Sequence, residues 1–299
     1  MNTRKVKKIF TERPTVEGAG VKLKRVFATA EIPQFDPFLM LDHFGSSNPD
    51  DYVAGFPWHP HRGIETVTYM IEGEVEHGDS LGNSGKIKSG DIQWMTAGSG
   101  IIHQEMPRPY IGTMKGLQLW VNLPKAEKMS EPRYRDLNAG SVPEINHAKG
   151  ISVKIISGQY NGTPGAAQDI TGNPDYFDIT LEPGVFFEFN ISQEFNAFAF
   201  VLEGKGDFDD EGRKCSEGQG ALFGSGNKIS IAAADSKRLR FILVSGKPLN
   251  EPIAWGGPIV MNTQAELRTA FEELDNGTFI KAGIPANKKI KPIKDFYKG

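Results

Sequence analysis

Thr66-Val-Thr-Tyr-Met-Ile-Glu-Gly73 is a run of β-branched and aromatic side chains closed by a Glu-Gly pair. Such a composition fits a half-buried pleated surface, and the glycine marks where the strand ends. Gly82-Asn-Ser-Gly85 then reads as a hairpin turn, and Ser89-Gly-Asp91 opens a further apolar run, Ile92-Gln-Trp-Met95. The same order of elements returns later. Phe198-Ala-Phe-Val-Leu202 closes at Glu203-Gly204, and Glu217-Gly-Gln219 opens Gly220-Ala-Leu-Phe223. The closing and opening glycines lie 17 residues apart in the first copy (Gly73 to Gly90) and 14 in the second (Gly204 to Gly218). Self-similarity on this scale implies two β-barrels descended from one unit.

The segments around the copies complete an all-β reading. Leu117-Gln-Leu-Trp-Val-Asn-Leu123 suits a closing strand, and Pro124 to Asn146 is polar and helix-permissive, as an inter-domain crossover would be. Thr263-Gln-Ala-Glu266 has the spacing of a capping box ahead of Leu267, Phe271 and Leu274, with Gly277 as the stop. One amphipathic C-terminal helix is therefore expected, packed on the second barrel. The expected domains are 1–124, a first barrel; 125–147, the crossover; and 148–299, a second barrel with the helical end.

Composition narrows the function. With 38% apolar and 24% charged residues in 299, the chain reads as globular and is long enough for a sizeable core. No apolar run approaches a membrane span. The basic start, Met1 to Phe10, lacks an apolar stretch behind it, so a secretory signal is not expected. A lone cysteine, Cys215, excludes an internal disulfide and a thiolate-rich metal site, and fits a cytoplasmic setting, or a nuclear one in a eukaryote. A net charge of −3 offers nothing to attract nucleic acid or a membrane surface. The lysines at the end (Lys288, Lys289, Lys291, Lys294, Lys298) read as a solvated tail.

The chemistry lies in two short pairs, His59-Pro-His61 and His103-Gln-Glu105. On a strand, residues two apart share a face about 6–7 Å apart at the backbone. Two such strands side by side bring three imidazoles and a carboxylate to one point, which describes a mononuclear metal site with positions left open. For one histidine alone, a hydrogen-bonded structural role is the simpler reading; two same-face pairs in one β-unit displace it. Imidazole suits Fe, Zn, Cu and Ni, and a carboxylate tilts the choice toward metals that accept oxygen. The residues leave the fourth ligand open, because Glu65 follows His61 at the spacing of the first cupin motif, His-x-His-x3–4-Glu, and rivals Glu105. His43 and His77 have no same-face partner and read as surface or loop residues. Arg62 beside the site either orients an acidic group or forms a structural ion pair. All six histidines precede residue 148, so the second copy reads as lacking imidazole.

Several segments together resemble the pirin family of two-cupin proteins. They are Phe35-Asp-Pro-Phe-Leu-Met-Leu-Asp-His-Phe44, His59-Pro-His-Arg-Gly-Ile-Glu-Thr-Val-Thr68, Glu76-His-Gly-Asp-Ser-Leu-Gly-Asn-Ser84 and the stretch from Gln93 to Glu105, with Gly116 to Pro124 and Gly257 to Thr263. Thr96-Ala-Gly98, and the wider gap from Gly98 to His103, depart from general cupin motifs and match the pirin pattern. The resemblance implies two cupin (jelly-roll) barrels in tandem. It also implies ligands His59, His61, His103 and Glu105, favouring Glu105 over Glu65, and no metal in the second cupin. It implies one Fe(II) per chain, with Mn, Cu, Ni or Zn as alternatives. Pirin-like proteins are linked to two kinds of function. The leading expectation is a dioxygenase of quercetinase type, opening a flavonol with dioxygen to a depside and carbon monoxide, Glu105 taking the proton of the 3-hydroxyl. The alternative is an iron-binding regulatory or redox-sensing protein that acts on a protein partner.

Overall fold

The computed structural model describes residues 2–148 and 150–281; the lysine-rich end lies outside the described residues. The chain runs through β1 (Val6–Thr11), β2 (Arg13–Glu17), β3 (Val21–Phe27), β4 (Phe38–Ser46), β5 (Phe56–His61), β6 (Ile64–Glu72), β7 (Glu74–Asp79), β8 (Ser84–Lys88), β9 (Ile92–Thr96), β10 (Ile101–Pro107), β11 (Met114–Asn122) and β12 (Arg133–Leu137). The run that opened the reading is β6, and Ile92–Met95 lies in its hydrogen-bonded neighbour β9.

Two antiparallel sheets carry the first barrel: seven strands in the order β12-β9-β6-β11-β4-β3-β2 and four in the order β5-β10-β7-β8. One buried cluster takes Leu23, Phe44, Met70 and Met114 from the larger sheet and Val75 and Ile87 from the smaller, so the sheets pack face to face. The second barrel repeats the plan. Its seven-stranded sheet has Asn196–Glu203 and Gln219–Phe223 where the first has β6 and β9, and its four-stranded sheet begins with Phe186–Asn190 paired to Lys228–Ala233. Its core draws Ile155, Phe177, Ala199 and Phe241 from one sheet and Phe187, Ile229 and Ile231 from the other.

By their contacts the residues form two units interleaved in sequence. One comprises Pro14–Arg25, Met40–Ala139 and the chain from Leu249 onward; the other comprises the chain up to Arg13, Val26–Leu39 and Gly140–Pro248. The second unit's sheet takes β1 as its outer strand, beside Gln219–Phe223. Three expectations change as a result. The segment 124–146 carries two strands, joined by short 3-10 turns and irregular chain, rather than a helix-permissive linker: β12 pairs with β9, and Glu144–His147 pairs with Ile151–Ser157. His147 thereby joins the second unit, where its Nε2 lies 3.2 Å from the Tyr160 hydroxyl, so that unit does hold an imidazole. The helix forms at Gln264–Asp275 with the expected box: Glu266 N donates to Thr263 Oγ1 at 3.2 Å and Thr263 N donates to Glu266 Oε2 at 2.9 Å. It packs on the first barrel, however, through a cluster of Leu267, Ala270 and Leu274 with Ile102 of β10 and Ile259. Amphipathic spacing specifies which helix face is buried but leaves its partner open.

Candidate metal centre

β5 reads Phe-Pro-Trp-His-Pro-His. Proline cannot donate to a ladder, so Pro57 and Pro60 restrict this strand to a sheet edge, and β5 is the edge of the four-stranded sheet. Its neighbour β10 pairs His103 with His59 and Glu105 with Phe56. Two residues of β10 therefore span three of β5, a bulge of the kind that re-aims side chains beside functional sites.

His59, His61 and His103 converge as the spacing predicts, with their ligand atoms all within 4.8 Å of one another. His59 Nε2 lies 3.1 Å from His61 Nε2 and 2.9 Å from His103 Nε2. Two backbone carbonyls fix the tautomers. His59 Nδ1 donates to Pro57 O at 2.8 Å and His61 Nδ1 donates to Pro258 O at 3.1 Å. Each of those rings then presents a lone pair at Nε2, and the two lone pairs face each other, an arrangement that repels unless a cation lies between. Burial drives His59 down to about 4, and His61 and His103 well below the ordinary imidazole range, so all three are neutral at neutral pH. Neutral imidazole is the form that ligates. Nitrogens about 2.0–2.1 Å from one ion and at right angles to each other are about 3 Å apart, so the donor set fits a divalent metal.

The two carboxylates divide differently. Neither belongs to the convergent set. Glu65 is spoken for elsewhere: Trp94 Nε1 donates to its Oε2 at 3.0 Å and Thr96 Oγ1 to its Oε1 at 2.7 Å, within the larger sheet. Glu105, on β10 with His103, accepts from Thr68 Oγ1 at 2.9 Å, and burial pushes its carboxyl up from the usual range.

His77 and His43 are not loop residues. His43 is a half-buried member of β4. His77 is fully buried on β7, its ring stacked on Tyr134 at 4.6 Å and 5.4 Å from that of His103. Its Nε2 lies 3.2 Å from Asp79 Oδ2, and its Nδ1 is buried without a hydrogen-bond partner among the described residues. Asp79 is anchored in turn by Leu81 N, Asn83 N and Asn83 Nδ2. His77-Gly-Asp79 has the same period-2 spacing as the ligand pairs, and that signal could have marked it. Arg62 forms a structural ion pair, with Glu273 at 2.7 Å, rather than facing the site. Trp120 was not foreseen: its indole meets the His61 ring edge-on at 5.1 Å and stacks with Trp255 at 5.8 Å.

Two jelly-roll barrels in tandem, one holding three convergent imidazoles, define a two-cupin protein. A family model described as Pirin matches residues 20–121 and one described as Pirin C-terminal cupin domain matches residues 176–280. The chain belongs to the pirin family. A pirin-like protein of Caulobacter vibrioides is 43% identical over 280 residues, covering 93% of this chain and 100% of its own. A pirin-like protein of Solanum lycopersicum is 43% identical over 274 residues, covering 91% of each chain. Among solved structures, a quercetin 2,3-dioxygenase from Acinetobacter baumannii matches with a TM-score of 0.86 at 33% identity, covering 93% of this chain and 99% of its own.

Proposed function

We propose that the chain is a metal-dependent dioxygenase that opens a flavonol such as quercetin with dioxygen, using one Fe(II) held by His59, His61, His103 and Glu105. The observation that carries this reading is the convergence of three neutral imidazoles on one point beside the indole of Trp120. The quercetin dioxygenase from Acinetobacter baumannii, alike over nearly the whole chain, supports it. When bound, a divalent ion supplies Lewis acidity that makes an enolic hydroxyl easier to deprotonate. The protein does the rest. The Pro57 and Pro258 carbonyls hold two imidazoles in the ligating tautomer. Trp120, stacked with Trp255, offers a planar wall against which an aromatic substrate lies flat. Glu105, whose carboxylate accepts from Thr68 Oγ1, takes the proton of the substrate hydroxyl.

The test is metal analysis of the purified protein, followed by oxygen uptake with quercetin after loading Fe, Mn, Cu, Ni or Zn. Fe(II)-loaded protein consumes quercetin under air, and His61→Ala abolishes the uptake while circular dichroism stays that of the wild type. Negligible consumption by the fully Fe(II)-loaded protein would overturn the reading in favour of an iron-binding regulator of a protein partner.

A further inference from the structure

The segment from Gly257 to Phe279 is tied at several points to the chain that carries His61. Pro258 O accepts from His61 Nδ1. One residue on, Arg62 and Ile259 form a parallel bridge, and Val260 N donates to Arg62 O at 3.1 Å. Lys128 Nζ joins Gly63 O at 2.9 Å to Val260 O at 3.0 Å. A Cβ on Gly63 would lie 2.0 Å from Val260 O, so only glycine admits this approach. At the far end, Arg62 Nη2 donates to Phe279 O at 2.8 Å and pairs with Glu273 of the helix at 2.7 Å, its guanidinium 4.1 Å over the Phe279 ring. Arg62 Nε donates to Ser99 O at 2.8 Å, which fixes the guanidinium from the barrel side.

Neighbouring residues thus face two ways: His61 into the metal centre and Arg62 into the helix. The Pro258 carbonyl, which holds the His61 tautomer, belongs to the same segment that Arg62 clamps. We propose that Arg62 and Glu273 are positioning residues for the metal centre. By seating Gly257–Phe279 they place the Pro258 carbonyl that orients His61, so metal binding and docking of the helix Gln264–Asp275 are coupled. The proposal rests on the reading that the three histidines hold a metal, and is independent of the reaction. Coupling of this kind is reciprocal: whatever docking of the segment adds to metal affinity, the metal adds to docking.

Co(II) titration of the full chain, followed by visible absorption, reads affinity and ligand geometry together. Amide exchange across Gln264–Asp275, with and without Co(II), reads docking. The wild type binds Co(II) and its helix exchanges more slowly when loaded. Arg62→Lys keeps the charge but loses the fork that spans Ser99, Phe279 and Glu273, and Glu273→Gln weakens the same clamp from the helix side. Each raises the Co(II) Kd about tenfold, the scale of change seen when a ligand's hydrogen-bond partner is disturbed. Each also shifts the absorption band and shrinks the Co(II)-induced protection by a matching factor. Faster helix exchange with wild-type Co(II) affinity and spectrum would mean that the clamp only fastens the helix, and would overturn the proposal. If Arg62→Lys does not fold, Glu273→Gln, whose side chain is partly exposed, decides alone. No Co(II) binding by the wild type would bring down the metal reading itself, and this proposal with it.

Discussion

Glu65 and Glu105 show how far two buried carboxylates can differ in one barrel. Glu65 holds two donors of its own sheet, and an amide in its place keeps one acceptor oxygen but sets an NH2 against the other donor. Glu65→Gln is therefore expected to cost about 1–3 kcal/mol in urea unfolding, because a buried donor is left badly matched, with metal affinity unchanged. Glu105→Gln should do the opposite, lowering metal affinity at least tenfold in equilibrium dialysis with little change in stability. Equal metal affinity in the two variants would remove Glu105 from the ligand set. Lys128 is a third buried charge with a legible role. Its ammonium donates to Gly63 O, Asn122 Oδ1 and Val260 O, three donors for three acceptors. Burial pulls it down to about 8. Since the unfolded chain holds this proton up to about pH 10.4, its charged form opposes folding below pH 8, and that opposition fades as pH rises from 8 toward 10. Wild-type stability should therefore gain on Lys128→Met across that window, the sign being set by the excess protons on the unfolded chain. A difference that stays flat between pH 8 and 10 would count against it.

At the scale of elements, the helix Gln264–Asp275 stands on its capping box. Thr263→Ala removes the acceptor for Glu266 N and should cost about 1 kcal/mol, read as a lower midpoint in thermal unfolding. Burial alone would raise Glu266, but hydrogen bonds from Thr263 and Asn262 outweigh it and hold the carboxyl below its usual range. A depressed carboxylate stabilises above its unfolded pKa, so the helix end loosens as pH falls below about 4.5. The protection factors of the Asn262 and Thr263 amides, exchange measured against the intrinsic rate at each pH, should fall there, and Glu266→Gln should flatten the dependence. The capping residues, the period-2 histidines and the glycine-closed strands were legible because each signal is local: the partners lie within a few residues. Strand Arg133–Leu137 was missed because its polar residues suit helix and edge strand alike, and only pairing with β9 decides between them. The helix's docking site, the Lys128 contacts and the Pro258 carbonyl were hidden for a related reason. Each joins residues far apart in sequence, and nothing in their own neighbourhood encodes the partner.

At the scale of the whole molecule, the shared strand order of the two units lets their chemistry be compared strand by strand. The second barrel's equivalents of β5 and β10 pair Phe187 with Ile231 and Phe189 with Ile229 where the first pairs His59 with His103. Phe187, Ile229 and Ile231 are core residues there, so the space that gathers imidazoles in one copy is filled with hydrocarbon in the other. Purified protein should accordingly carry one metal per chain by elemental analysis, and a ratio near two would contradict it. Phe187→Ala should cost about 3–5 kcal/mol from the cavity it leaves, without altering that ratio.

The interleaving of the two units has a consequence for synthesis. The three histidines leave the ribosome well before their barrel is complete, because that barrel also takes in the chain from Leu249 onward. β1, made before the rest of its sheet, waits for its partner strand, Gln219–Phe223. A nascent chain therefore exposes its imidazoles while Pro258 is still unmade. The carbonyl that orients His61 is thus made only when the chain has grown 197 residues past it.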